Sequence, residues 1–164
     1  MFKTFLLCLV SLSLMAEDII GFWKSVDENS GKNRCMVAVY ENNGIRYGRI
    51  IGTYDDNGHI KDSIYKPKER APGIVGNPFY CGLDLIWGLE LYGMDLYKGK
   101  IVDPEKGNIY NSELWIQGDN LVVRGKLLFF GRSQEWVPAT EADFSKTFKK
   151  PDVSKFVPSI PQVK

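Results

Sequence analysis

Between Gly82 and Tyr92 the chain alternates without a break. Leu83, Leu85, Trp87, Leu89 and Leu91 fall on one side, and Gly82, Asp84, Ile86, Gly88, Glu90 and Tyr92 on the other. A period of two puts successive side chains on opposite faces of a β-strand. The leucine–tryptophan face is expected to be buried and the mixed face to meet solvent. Helical periodicity is nearly absent elsewhere; short apolar runs are punctuated by glycine, asparagine and aspartate.

Eight strands are expected: Ile19–Val26, Arg34–Glu41, Ile45–Tyr54, Gly82–Tyr92, Tyr97–Val102, Ile109–Gln117, Leu121–Leu128 and Gly131–Val137. Asn42-Asn43-Gly44, Asp103-Pro104-Glu105-Lys106-Gly107 and Gly118-Asp119-Asn120 are hairpin-sized links. Short links make sequential strands antiparallel neighbours. Asp55 to Phe79 is longer and holds Pro67, Pro72 and Pro78, the mark of a functional loop, a lid or a loop with a short helix. Eight antiparallel strands with one apolar face hide that face and protect both edges by closing on themselves. The predicted fold class is therefore all-β: an eight-stranded antiparallel up-and-down barrel with a long loop after the third strand and a short C-terminal helix or tail. Such a barrel is filled by side chains or holds one small ligand.

Met1 to Ala16 reads as a secretory signal peptide: Lys3, then an apolar run from Phe5 to Met15, then small Ala16 before acidic Glu17-Asp18. The run is too short to cross a bilayer core of about 30 Å. Residues 17–144 form the expected barrel domain, exported to the periplasm or secreted. Residues 145–164 carry five lysines, one aspartate and three prolines and read as a mobile, solvated basic tail.

Composition narrows the function. A formal net charge of +1 lacks the basic footprint of a nucleic-acid binder. One histidine and three cysteines leave little for a zinc site or a histidine base, so no metal, no cofactor and no enzymatic activity are expected. Asp103 and Glu105 suit an ordinary turn better than a catalytic pair. Export would remove Cys8 and leave Cys35 and Cys81, disulfide partners in an oxidising compartment or two buried thiols. A bridge would contribute about 4 kcal/mol.

Gly21-Phe22-Trp23 resembles the Gly-x-Trp signature of lipocalins. There the tryptophan closes one barrel end under an arginine from the last strands, a role the resemblance offers to Arg132 or Arg124. A wider resemblance runs from Gly21 to Val137. It rests on Gly21-Phe22-Trp23, Tyr47-Gly48-Arg49-Ile50, Cys81-Gly82-Leu83, Asp103-Pro104-Glu105-Lys106-Gly107 with Tyr110, Val123-Arg124-Gly125, and Gly131-Arg132-Ser133-Gln134-Glu135-Trp136. These segments resemble a bacterial secreted family labelled domain of unknown function 2147, which implies a small exported lipocalin-like barrel and no established reaction.

The inward faces supply the expected ligand-binding residues: Trp23, Val37, Val39, Tyr47, Leu85, Trp87, Leu89, Tyr110, Leu114, Arg132, Gln134 and Trp136. Apolar walls with a few polar groups suit a small hydrophobic ligand such as a fatty acid or lipid, held by a carrier or sensor. The alternative is an envelope or secreted interaction module with a filled barrel. Its exposed aromatics, such as Trp115, and its long loop would bind protein or polysaccharide.

Overall fold

The computed structural model describes residues 17–127 and 130–164. The expected signal segment, residues 1–16, and Leu128, the end of the seventh expected strand, lie outside the described residues. The described residues form nine strands: β1 (Gly21–Val26), β2 (Asn33–Asn42), β3 (Ile45–Tyr54), β4 (Ile60–Ser63), β5 (Asp84–Tyr92), β6 (Leu96–Asp103), β7 (Asn108–Gln117), β8 (Asn120–Leu127) and β9 (Phe130–Pro138). Asn43 and Gly44 both adopt positive φ, 51° and 81°, as a two-residue I′ hairpin between β2 and β3 requires. The sheet order is β2-β1-β9-β8-β7-β6-β5-β3-β4, and β2 also pairs with β3. That pairing closes an antiparallel barrel of eight strands, with β4 added on β3. The two short helical turns after β9 are 3-10, at Glu141–Asp143 and Val153–Lys155.

The alternation read in β5 does not survive intact. Ile86 pairs with Gly48 and Ile101, is fully buried and faces the lumen, whereas Trp87 pairs with exposed Lys100 on the outer face. Gly88 then takes φ 65°, and the register shifts between Trp87 and Glu90. This bulge inserts one residue and returns Leu89 to the lumen. Leu91, expected inside, is 48% exposed.

The barrel wall is buried on both sides at β2. Val37 and Val39 join the lumen cluster. Met36 and Ala38 join a second cluster outside, with Ile51 and Phe148. Phe22, Phe144 and Phe156 pack against that cluster. Gly52 makes room for it, since a Cβ there would lie 2.9 Å from the Phe148 ring.

The tail is accordingly not a mobile extension. It runs over the outside of the barrel and is hydrogen-bonded along its length. Tyr65 Oη donates to the Lys149 carbonyl at 2.9 Å, and Arg49 Nη2 to the Val157 carbonyl at 2.7 Å. Ile74 bridges Val163, and Val75 N donates to the Gln162 carbonyl at 2.7 Å. The tail thus clamps the segment after β4. That segment buries Ala71 and Ile74 and contains no helix. Its start is held by Asp62, which accepts from the backbone N–H groups of Ser63, Lys68 and Glu69.

One polar cluster joins these parts. Asp84, with no exposed side-chain surface, accepts from Tyr40 Oη at 2.9 Å, from Arg49 Nε and Nη2 at 2.9 and 2.8 Å, and from Ser159 N at 2.8 Å. The Arg49 guanidinium also lies 4.5 Å from the Phe156 ring centroid. Burial, and then the Asp84 charge, push the Tyr40 phenol well above its ordinary range. Removing one partner strands a buried charge, so Asp84→Ala is expected to cost about 3–5 kcal/mol in chemical denaturation. Phe148→Ala is expected to cost about 3 kcal/mol or more. Glu28→Ala, which breaks an exposed pair with Arg132, should cost less than about 1 kcal/mol. A Phe148→Ala effect as small as that of Glu28→Ala would show that the tail does not hold the barrel.

Candidate functional site

One end of the barrel is filled. Ile19, Trp23, Val39, Leu89, Tyr97, Leu114, Leu121 and Trp136 are all buried in the lumen cluster. Trp23 Nε1 donates to the Ile19 carbonyl at 2.9 Å. The arginine at this end is Arg46, 4.9 Å from the Tyr97 ring centroid and paired with Asp18 at 3.0 Å. The cover expected of Arg132 or Arg124 is absent among the described contacts of Trp23. Arg124 instead lies over Trp115, and Arg132 pairs with Glu28.

Among the described residues the other end borders a cavity, and strand register places its walls. Cross-strand partners share a face. Tyr97, Leu114, Val123 and Gln134 form one lumen row across β6, β7, β8 and β9. The next row toward the β6–β7 turn is Gly99, Ser112, Gly125 and Arg132. Three of those four residues carry almost no side chain. At Gly99 the room is taken by β5, since a Cβ there would lie 2.5 Å from the Trp87 carbonyl oxygen and 3.0 Å from Leu89, whereas Gly125 and Arg132 border a cavity of about 560 Å³. Ile101, Tyr110, Val123, Gly125 and Gln134 form its walls, and Asp103, Lys106 and Arg132 stand at its mouth.

Each polar group there has a definable state. Gln134 Oε1 accepts from Trp136 Nε1 at 3.2 Å, which fixes the amide against the cavity wall. Asp103 Oδ1 accepts from the backbone of Glu105 and Lys106, so it caps the turn as the turn reading requires. Arg132 is 74% exposed and paired with Glu28 at 3.1 Å. Lys106 has no ion pair among the described residues. The segment after β4 abuts this mouth: Gly73 N donates to the Pro104 carbonyl at 2.9 Å. A Cβ on Gly73 would meet the Gly107 backbone N at 2.3 Å, so only glycine allows this approach.

The expected ligand residues divide into three groups. Tyr110, Arg132 and Gln134 line the cavity. Trp23, Val37, Val39, Leu89, Leu114 and Trp136 belong to the packed core. Tyr47 stacks on Tyr40 on the outer face, Trp87 shares its row with Lys100, and Leu85 is buried at a register shift of β5. Ile101, Lys106, Val123 and Gly125 were missing from the sequence reading. Parity would have placed Val123 and Gly125 beside Gln134 and Arg132, whereas the mouth position of Lys106 depends on the docked long segment.

Cys35 and Cys81 are both thiols here, and both pack in or against the lumen cluster. Cys35 Sγ shares a hydrogen bond of 3.0 Å with Ser25 Oγ. Burial pushes the Cys81 thiol up to about 12, reinforced by the Asp62 charge and by Cys35. Among the described residues no cluster of ligating side chains is arranged for a metal, and no helix is long and apolar enough to cross a membrane.

A family profile described as "Uncharacterized protein conserved in bacteria (DUF2147)" matches residues 21–137. No curated protein matches the chain. Among solved structures, protein HP1028 from Helicobacter pylori, described as belonging to the lipocalin family, superposes with a TM-score of 0.64. The two are 18% identical, and the match covers 84% of this chain and 94% of the other. At that identity the likeness shows the fold alone: a lipocalin-like barrel. In the reduced, folded protein a thiolate-directed reagent at pH 8 should label Cys81 far more slowly than in denaturant. Equal rates would show that the thiol is not buried.

Proposed function

The chain belongs to that bacterial family, and we propose that it holds a small, largely apolar ligand in its barrel, as a carrier or sensor rather than an enzyme. The observation that carries this reading is the lumen cavity. A cavity of about 560 Å³ lies within the range of small-molecule sites, and its lining is mixed: Ile101, Val102, Tyr110 and Val123 supply apolar surface, and Asp103, Lys106, Arg132 and Gln134 polar groups. Its polar set is an amide, two cations and a turn-capping carboxylate, groups suited to orienting a ligand head. A fatty acid or related lipid fits that combination: the chain against Ile101, Tyr110 and Val123, and the carboxylate toward Lys106 and Arg132.

The reading extends to the cell. We place the protein outside the cytoplasm on the character of Met1–Ala16, which is that of an export signal. In an oxidising compartment Cys35 and Cys81, the two cysteines left after export, become candidates for a bridge. Denatured, unreduced protein from its native compartment should then titrate no free thiol; two per chain would reject the bridge.

The cavity itself is tested by filling it. A Cβ at Gly125 makes only ordinary contacts, 3.6 Å to Ile101 and 3.9 Å to Tyr110. Gly125→Val is therefore expected to fold, to project its branches into the cavity, and to weaken binding of a fluorescent fatty acid at least tenfold. Lipid extraction of the native protein followed by mass spectrometry should recover one amphiphile class. Undiminished binding by Gly125→Val, or an extract empty of amphiphiles, would reject the barrel as the binding site.

A further inference from the structure

Ser112 is 1% exposed, and its hydroxyl has no hydrogen-bond partner among the described residues. Leaving a hydroxyl buried and unpaired costs free energy that an alanine would not. Its place in the barrel gives the hydroxyl a use. The flanking residues of β7 set its direction: Glu113 is on the outer face, ion-paired with Lys126 at 2.7 Å, and Leu114 is in the lumen core. Ser112 therefore faces the lumen, in register with Gly99 on one side and Gly125 on the other. Leu89 and the β5 backbone fill the space over Gly99, whereas Gly125, on the other side, lines the cavity. The hydroxyl thus lies one strand position behind the cavity wall at Gly125.

Resting on the reading above that the barrel binds an amphiphile, we infer that Ser112 is the inner polar anchor of the site. The ligand carries a hydrogen-bonding group at its buried end as well as an anionic group at the mouth. The distance sets its size. Four residue steps along β7 lead from Asn108, the partner of Asp103 at the mouth, to Ser112, about 13 Å of extended strand. A medium-chain ω-hydroxy or ω-oxo carboxylate spans that length. Its carboxylate meets Lys106 and Arg132, its methylenes lie on Val123 and Ile101, and its far oxygen reaches Ser112. The hydroxyl is sealed from solvent, so the ligand's inner end parts Ile101 and Tyr110, whose side chains border Gly125. An apolar chain alone would leave the serine unpaired.

Calorimetric titration with decanoate and with ω-hydroxydecanoate tests the anchor. The native protein should bind the hydroxylated acid at least as tightly as decanoate, although a purely apolar wall would disfavour a buried hydroxyl. Ser112→Ala should lose about tenfold in affinity for ω-hydroxydecanoate and none for decanoate. Unliganded Ser112→Ala should melt no lower than the native protein, because the removed hydroxyl has no partner to lose. If decanoate binds and the hydroxylated acid is weaker in both proteins, the anchor is wrong and the apolar cavity stands. A lowered melting point in unliganded Ser112→Ala also overturns the anchor, since it reveals a structural partner. Failure of both acids and of the fluorescent fatty acid to bind overturns the cavity reading and the anchor with it.

Discussion

Asp84 is a carboxylate without solvent, and the outer wall of the barrel is organised around keeping it satisfied. An ionised carboxylate in a protein interior is tolerated only when its oxygens are fully hydrogen-bonded and a counter-charge is adjacent. Here the donors come from three places distant in sequence, Tyr40 on β2, Arg49 on β3 and the backbone of Ser159 in the tail, and all converge on the start of β5. Satisfying one group therefore sets the register of β3 against β5 and docks the tail. With the tail in place, Val163 meets Ile74, and the long segment after β4 is held against the β6–β7 turn. The mouth of the cavity is built on that turn.

The lumen shows a division of labour along its axis. Large residues fill the end around Trp23 and Trp136, where packing supplies stability. Toward the other end β5 closes over Gly99, while Gly125 in the same row borders the cavity. Eight strands enclose a width that side chains can just fill, so exchanging large residues for small ones in one row is enough to make a cavity. The cavity and the polar groups that border it then reside in the same few strands, β6 to β9, and the turn between the first two.

Local signals carried most of the architecture. The Asn43-Gly44 turn, the Asp103–Gly107 turn and the period-two patterns mark hairpins through backbone conformations that few residues adopt cheaply. Half of the cavity was legible in the same way, because Tyr110, Gln134 and Arg132 follow strand parity. The errors have equally local causes. Gly88 at positive φ introduces a bulge that reverses parity within β5, so Ile86 and Leu89 share the lumen while Trp87 turns outward. The unbroken apolar run Met36–Tyr40 is the mark of a strand buried on both faces. Read as such, it would have required a cover, and the phenylalanines of the tail are that cover.

The sequence by itself determined the all-β class, the closed antiparallel barrel, most strand boundaries and the lumen-facing parity of β7 to β9. Those depend on backbone preference and side-chain alternation, which act between near neighbours in the chain. Only the tertiary structure decided that the tail is a strap, that Tyr47 and Trp87 face out, and that one end of the barrel borders a cavity. These outcomes depend on which distant groups meet: a buried aspartate with an arginine and a backbone N–H 75 residues away, or Gly125 and Arg132 brought side by side by strand register. Nothing in a local window distinguishes a serine that faces solvent from one that faces the lumen. The difference comes from the strands on either side.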